Sequence, residues 1–374
     1  MYMRINNILL GAFIVFGLAG VVLRWRKYEA SPSLYMAWPV LAFFLLAVLA
    51  SFRSWDLEGF KYLEKYWSLL LVPLVIFLNP KTFSGQRREI FLALLWGCIA
   101  TLAICYVNLF WEMAANGEPL YFMFRWRHVG HQFTAIADTH PTYLGLFVVT
   151  SIMFLVQEAK FPKPEKYLVM VFLILGLFQL ASRMALLLFL LFFIYLVFNR
   201  MKQFKWKIAT LFLGILLTTA IFMFYGSSYM ANRLFTKEAF ADDQRFERWQ
   251  VTYDIFREHP YIGVGYAEVK VLRKKKYLQE NFQLAAEEEY NAHNQFLEYL
   301  STDGAIGGFV YGISMMYLFF LSLYKRDVLF SFVFMAFILA NLTESMMVRI
   351  KGIEYFAILT SLFLCWEFSK TKEV

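Results

Sequence analysis

The chain has 374 residues, of which 60% are apolar, 20% aromatic and only 17% charged, with a formal net charge of +8. Soluble globular chains carry about a quarter of charged residues, so a water-soluble domain is excluded. The apolar runs are continuous rather than alternating, which excludes an up-and-down membrane barrel.

Eleven runs, about 7–23, 34–52, 66–79, 89–111, 141–157, 167–182, 184–199, 208–225, 305–324, 328–346 and 352–368, are each about long enough to cross a bilayer. The predicted fold is therefore all-α, a polytopic bundle of about 11–12 transmembrane helices forming a single integral membrane domain over 1–374. Segment 53–65 can hold an interfacial helix that changes the parity. The first run reads as a retained span, because Arg24, Trp25, Arg26 and Lys27 follow it instead of a small-residue cleavage site. Cys98, Cys105 and Cys365 lie in apolar segments and read as packing residues, with neither metal spacing nor a disulfide framework.

Lysine and arginine gather in alternate short loops: Arg24/Arg26/Lys27, Lys81/Arg87/Arg88, Lys160/Lys163/Lys166, Arg200/Lys202/Lys205/Lys207 and Lys325/Arg326. The positive-inside rule places these in the cytoplasm and explains the basic surplus better than nucleic-acid binding does. The opposite side then receives the two long loops, 112–140 and 226–304, as the working surface. Neither GxxxxGK[ST] nor a strand-led GxGxxG occurs, so chemistry on that face proceeds without ATP or a sugar nucleotide.

In "RWRHVGHQFTAIADTHPTYLG" (125–145), His128, His131 and His140 invite a zinc reading. The H-x-x-H spacing is not the helical i, i+4 pair and no cysteine stands nearby, so no metal is expected. Arg125, Arg127 and His128 read instead as headgroup or glycan contacts. "THPTYL" opens the next span with Pro141 in its first turn, and His140 joins the substrate-binding candidates.

Residues 167–199 carry one charge, Arg183. A single helix of that length would span about 50 Å against a ~30 Å hydrocarbon core, and both flanks are basic. The run must fold as a hairpin with its apex near Ala181-Ser182-Arg183. An arginine recessed there costs roughly 2.5–3.5 kcal/mol on insertion scales unless an anion or cavity receives it. The plain alternative is a snorkelling arginine that marks the interface.

In the long loop, Phe246, Trp249, Tyr253 and Phe256 form one apolar stripe on an amphipathic helix suited to the bilayer surface or to capping the spans. Arg245 and Arg248 project from its start, Asp242 or Asp243 can cap it, Pro260 stops it, and Gly263 to Gly265 make a tight turn. A guanidinium fork suits phosphate; solvated Arg–Glu pairs are the competing reading. "RKKKY" (273–277) reads as a solvated or headgroup-binding charge run.

In "AHNQFLEYLSTDGAIGG" (292–308), Asn291 is the expected N-cap, and His293, Leu297, Leu300, Gly304 and Gly308 share one helical face. Gly304 and Gly308 form a small-xxx-small pair, which allows a neighbouring backbone to approach closely. His293 is read either as a cap or packing residue or as a proton acceptor for a hydroxyl. Glu344, at the end of a span, is expected to pair with an arginine such as Arg183 or Arg349. Paired glycosidase carboxylates are not recognisable, since Glu287, Glu288 and Glu289 are consecutive.

Taken together, "SRMALL" (182–187), "RFERWQVTYDIFREHPYIGVG" (245–265) and "HNQFLEYLSTDGAIGG" (293–308) resemble the O-antigen ligase and polymerase superfamily of bacterial envelope glycosyltransferases. The resemblance is strong over roughly 180–310 and is a span pattern elsewhere. It implies a GT-C-like enzyme on the periplasmic face of the inner membrane. Such an enzyme moves a glycan from undecaprenyl pyrophosphate to an acceptor hydroxyl, without cofactor, nucleotide or divalent metal. By position, Arg183 matches the family's hairpin arginine, Arg245 the loop arginine four before Trp249, and His293 its essential histidine. Arg248 is the substitute for Arg245. The chain departs from the family in its short length and in an odd span count where twelve is usual.

The implied partners are the lipid-linked donor, a lipid A-core or glycan acceptor, and membrane lipids, with no nucleic acid. Ligation to lipid A-core and polymerisation of repeat units both fit. A lipid-linked oligosaccharide transporter should carry charges deep in several spans and show repeat symmetry, whereas here the polar residues gather on one side. A scaffold would leave the Arg–Arg–His set unexplained.

Overall fold

A computed structural model describes residues 2–24, 34–54, 57–203, 205, 208, 210, 214 and 244–370. The predicted span 208–225 falls almost wholly outside the described residues, as do Trp25, Arg26, Lys27 and the proposed caps Asp242 and Asp243.

The described chain is helical, with no strand. In order come α1 (Tyr2–Arg24), α2 (Trp38–Ser54), α3 (Leu57–Glu64), α4 (Ser68–Leu78), α5 (Pro80–Ser84), α6 (Arg87–Ala115), α7 (His131–Thr134), α8 (Pro141–Gln157), α9 (Lys163–Leu180) and α10 (Arg183–Arg200). Beyond them lie α11 (Arg245–Glu258), α12 (Tyr266–Gln279), α13 (Gln283–Glu287), α14 (Gln295–Tyr324), α15 (Val328–Thr343) and α16 (Ile350–Lys370). The helices fall on the apolar runs, and α3 fills the segment expected to hold an interfacial helix.

Among the described residues four helices are long and apolar enough to cross a membrane: Leu34–Arg53, Arg87–Ala115, Arg183–Arg200 and Gln295–Tyr324. A fifth is added if Trp126–Ala137 and Pro141–Gln157, bent by 84°, count as one broken span. Fewer full-length spans than the eleven runs result because helices end inside them. Thus α4 stops after 11 residues, α9 begins among Lys163, Glu165 and Lys166, and Ile8–Leu23 and Val328–Thr343 are apolar but short.

The chain divides into two compact units. The first is Met1–Ile5 with Arg88–Asp243. Its core helix is α8, buried from Pro141 to Leu155 except at Phe147. Glycines let the helices approach: a Cβ on Gly145 would lie 2.5 Å from Ala185 Cβ of α10, and one on Gly176 2.5 Å from a methyl of Leu102 in α6. The 167–199 run breaks where the length argument requires. Ala181 takes left-handed φ 46°, and the Ser182 hydroxyl accepts from Ala185 N at 3.4 Å to cap α10.

The second unit is Asn6–Arg87 with Gln244–Val374. Aromatic rings fill its core. Phe43 meets Tyr299 at 5.3 Å and Phe356 at 5.5 Å, and Phe330 meets Phe363 at 4.8 Å. Helices α14 and α15 form an antiparallel hairpin through residues 325–327. At that turn Asp327 accepts from Arg87 Nη2 at 2.9 Å and from its own helix at Phe330 N, 3.1 Å away. The Arg87 guanidinium also lies over the Phe330 and Trp366 rings at 5.2 and 5.6 Å. Two loops that the charge count assigns to one side of the membrane thus meet.

A break in α14 is the feature that positions the site. Gly304 has φ 68° and ψ −158°, outside any helix. The carbonyls this frees, on Ser301 and Thr302, accept from Val264 N and Gly265 N at 3.2 and 2.9 Å. The freed N–H groups of Ala305 and Ile306 donate to the carbonyls of Pro260 and Tyr261 at 2.8 and 3.4 Å. The 260–265 turn therefore plugs the break and satisfies the backbone groups that a buried helix end would strand. The close backbone approach expected at the glycine pair is found at Gly304, where a loop supplies it, and not at Gly308. A Cβ on Gly304 would lie 2.4 Å from the Tyr261 carbonyl carbon and oxygen, and one on Gly263 2.4 Å from those of Thr302, so the tight packing is of loop on helix. Gly308 faces Leu300 and Phe296 of its own helix.

Candidate functional site

The hairpin of α14 and α15 brings the start of one helix near the end of the other. A straight α14 of 30 residues would run about 45 Å beside an α15 of 16 residues spanning about 24 Å. Its start would overshoot the end of α15 by about 20 Å. The bend at Gly304 removes the overshoot, and the turn before α14 meets the turn after α15.

His293 lies in the first of these turns. The expected cap is corrected: Asn294, not Asn291, closes the helix, its Oδ1 accepting from Leu297 N at 3.1 Å. His293 therefore precedes the helix rather than sharing a face with Leu297 and Leu300. The Asn291 side chain instead accepts from His293 N at 3.0 Å, folding a tight Asx turn that holds His293 at left-handed φ 48°. That conformation is unfavourable for a side chain with a Cβ and persists where surroundings over-determine it.

Glu344 lies in the second turn. Its Oε2 is 3.1 Å from His293 Nδ1, and its Oε1 is 3.6 Å from Arg245 Nη2. One carboxylate therefore serves an imidazole and a guanidinium. With Nδ1–H donated to Glu344, the neutral ring keeps its lone pair on Nε2, the atom that can take a proton. The Glu344 side chain is 11% exposed and that of His293 24%, so the cluster is shielded yet reachable.

Side-chain amides fasten the two turns. Gln295 Oε1 accepts from Met347 N at 2.6 Å, Asn294 Nδ2 donates to the Leu342 carbonyl at 3.3 Å, and Asn341 Oδ1 accepts from Met346 N at 3.3 Å. The sequence leads one to expect an arginine beside Glu344, and Arg245 is one; His293 on the other oxygen is the partner that expectation did not include.

Arg245 is the first residue of α11, and Arg248 follows three positions on. The two differ in surroundings: the Arg248 guanidinium lies 4.3 Å from the centre of the Tyr290 ring, and its buried Nε has no hydrogen-bond partner. Helix α11 buries Val251, Thr252 and Ile255. Its aromatic stripe stays on the opposite side, with Phe246 68% exposed.

The "RKKKY" run is solvated as expected at Lys274 and Lys275 but not at its ends. Arg273 and Tyr277, one turn apart on α12, are buried. Arg273 Nη2 bonds Glu298 Oε2 at 2.9 Å, with both side chains 8% exposed. Burial raises the Tyr277 hydroxyl pKa to about 12.

Arg183 belongs to the first unit, half-buried at the first position of α10. The 112–140 loop is latched to the same end of the α9–α10 hairpin. Gln179 Nε2 donates to the carbonyls of Met123 and His128 at 2.7 and 2.5 Å, and the Gln179 backbone carbonyl accepts from Gly130 N at 3.0 Å. His128 is corrected from headgroup contact to structural group: it is buried, its Nε2 held 2.5 Å from Glu118 Oε2. Arg125 and Arg127 are exposed, Arg127 beside the Trp126 ring at 5.3 Å. His140 caps α8, its Nδ1 accepting from Thr142 N at 3.2 Å, with Pro141 next as expected. Among the described residues no group of three or more His, Cys, Asp or Glu could hold a metal ion.

Residues 168–312 match the family model described as O-antigen ligase. The chain carries an O-antigen ligase family domain. This domain contains Arg183, Arg245, Arg248 and His293, while Glu344 lies beyond its end. No match was found among curated proteins. The O-antigen ligase domain and the apolar helices together make the chain an integral membrane protein with a glycosyltransferase-like enzyme domain.

Proposed function

We propose that this protein transfers a glycan from undecaprenyl pyrophosphate to an acceptor hydroxyl on lipid A-core, at the periplasmic face of the bacterial inner membrane. The observation that carries the proposal is the sharing of Glu344 between His293 and Arg245. It puts a proton acceptor and a fixed cation on one anchor, which transfer from a pyrophosphate donor needs.

In the proposed step the acceptor oxygen attacks the anomeric carbon and the bond from that carbon to the pyrophosphate oxygen breaks. The hydroxyl proton passes to His293 Nε2, and the electron pair leaves with undecaprenyl pyrophosphate. Arg245, and Arg183 by its resemblance to the hairpin arginine, neutralise the negative charge as it grows on the leaving group. Arg248 is assigned a supporting part, because its guanidinium already rests on Tyr290. Exposed Arg125 and Arg127 suit lipid headgroups or donor glycan. Confinement of donor and acceptor to one leaflet supplies much of the encounter. Backside attack inverts the anomeric centre, which product stereochemistry tests.

The deciding experiment is transfer in reconstituted membranes from lipid-linked glycan to lipid A-core, with His293→Ala and Arg245→Ala beside the parent protein. Loss of transfer in both folded variants is expected. Full activity in both ends the mechanism, a requirement for added nucleotide ends the class, and growth of repeat units in place of transfer to lipid A-core makes the protein a polymerase.

A further inference from the structure

The Arg273–Glu298 pair takes no part in the proposed chemistry, yet it is among the most deeply buried ion pairs of the second unit. Such a pair is close to neutral for stability, because loss of water offsets most of the attraction. Its consequence is geometric. Glu298 stands in the first turn of α14 and uses its two oxygens on two different segments. Oε2 takes Arg273 Nη2 of α12 at 2.9 Å, and Oε1 takes the backbone N–H of Ala292 at 2.5 Å. Ala292 is fully buried and immediately precedes His293.

Helix α12 grips the same segment once more, one turn along, where the Tyr277 hydroxyl donates to the Tyr290 carbonyl at 3.4 Å. The residues on the N-terminal side of His293 are thus tied to α12 directly at 290 and through Glu298 at 292, and the Asx bond of Asn291 closes the turn ahead of the histidine. His293 sits at its unfavourable φ of 48° at the end of this tether. From there its ring reaches Glu344 at 3.1 Å.

We propose that Arg273 and Glu298 are positioning residues: they fix the backbone ahead of His293, and so set where the imidazole meets the acceptor hydroxyl. The inference rests on the role given to His293 under the proposed function. A carboxylate is required at 298 because two donors converge on it. A glutamine there offers one acceptor oxygen and turns an NH2 towards the other donor. Lysine at 273 keeps the charge but loses the planar fork that aims it.

The test uses the full-length protein with Glu298→Gln and Arg273→Lys, measured in three ways. Misplacing the base by a fraction of an ångström should lower kcat about 10- to 100-fold for Glu298→Gln and less for Arg273→Lys, while the donor KM stays within about twofold because Arg245 is untouched. Carbethoxylation of His293 by diethyl pyrocarbonate, followed by mass spectrometry, should quicken at least about threefold as the tether loosens. The thermal midpoint should fall for Glu298→Gln, which leaves the Arg273 charge buried without a counter-ion, and less for Arg273→Lys, so all rates are compared on folded protein. Parent-like kcat and parent-like modification rates in Glu298→Gln overturn the inference, as does an equal change in kcat and donor KM. If Glu298→Gln does not fold, Arg273→Lys decides by the same criteria. His293→Ala in the same assay separates the two ideas: activity in that variant removes the proposed role of His293, whereas the modification rate still reports the tether.

Discussion

His293 and Glu344 are 51 positions apart in the chain, and the imidazole Nδ1 lies 3.1 Å from the carboxylate Oε2. The other oxygen of that carboxylate is 3.6 Å from Arg245. Because both neighbours are donors, Glu344 selects the tautomer of one and the position of the other.

Glu344→Gln follows directly. The amide NH2 must face either His293 Nδ1–H or the Arg245 guanidinium, so one of the two loses its anchor. We expect kcat for glycan transfer to fall about 100-fold, with donor KM rising if Arg245 is the one released. Steady-state transfer kinetics in membranes check this; unchanged kcat in a folded variant removes Glu344 from the site.

Arg245 and Arg248 separate by substitution. Arg245→Ala should lower transfer about 10²- to 10³-fold and Arg245→Lys about tenfold, as a single charge without the fork remains. Arg248→Ala should change transfer only a few-fold and act mainly through lost packing on Tyr290. The reverse ranking would assign the donor arginine to position 248.

The glycines differ in what a methyl group meets. Gly304→Ala and Gly263→Ala each combine positive φ with a backbone clash at 2.4 Å, and each should destabilise by about 3 kcal/mol or more. Gly312 has open space around its Cβ position and lies inside α14, so Gly312→Ala should be neutral or stabilise by up to about 1 kcal/mol. Thermal unfolding in detergent checks both. A tolerated Gly304→Ala with full transfer would contradict the role of the bend in bringing His293 to Glu344.

Arg87→Ala strands the Asp327 carboxylate, which is nearly buried, and removes two ring contacts. A loss of about 2–4 kcal/mol is expected, scaled down from a fully buried pair because Arg87 is partly exposed. Asp327→Asn should lose less, since its side-chain oxygen can still cap α15 at Phe330 N. Unfolding midpoints of the two variants give the order.

Much of the architecture was legible because the bilayer leaves few alternatives. A run of 33 residues with one charge is too long for a single span, and its break at Ala181–Ser182 followed from length and flanking lysines alone. Pro141 in the first turn of α8 and the helix in 53–65 were readable from local chemistry. The cap of α14 was not: Asn291 and Asn294 both suit the role, and only the fold of the 290–293 turn sends one to cap the helix and the other to hold His293. Arg273 looked solvated because its neighbours are lysines. Its burial depends on Glu298, 25 positions away, and on which face α12 turns inward.

The amino-acid sequence by itself determined the all-helical membrane class, the hairpin with Arg183 at its apex, and the candidate set of Arg183, Arg245 and His293. Apolar run length and loop charge are local quantities, and a membrane reads them one segment at a time. Tertiary structure alone decided that Glu344 joins His293 to Arg245, that Gly263 and Gly304 lock a turn into a broken helix, and that Arg273 and Glu298 brace the segment ahead of the histidine. Those relationships join residues far apart along the chain, through hydrogen bonds whose partners are chosen by how α14 bends and which turns then meet.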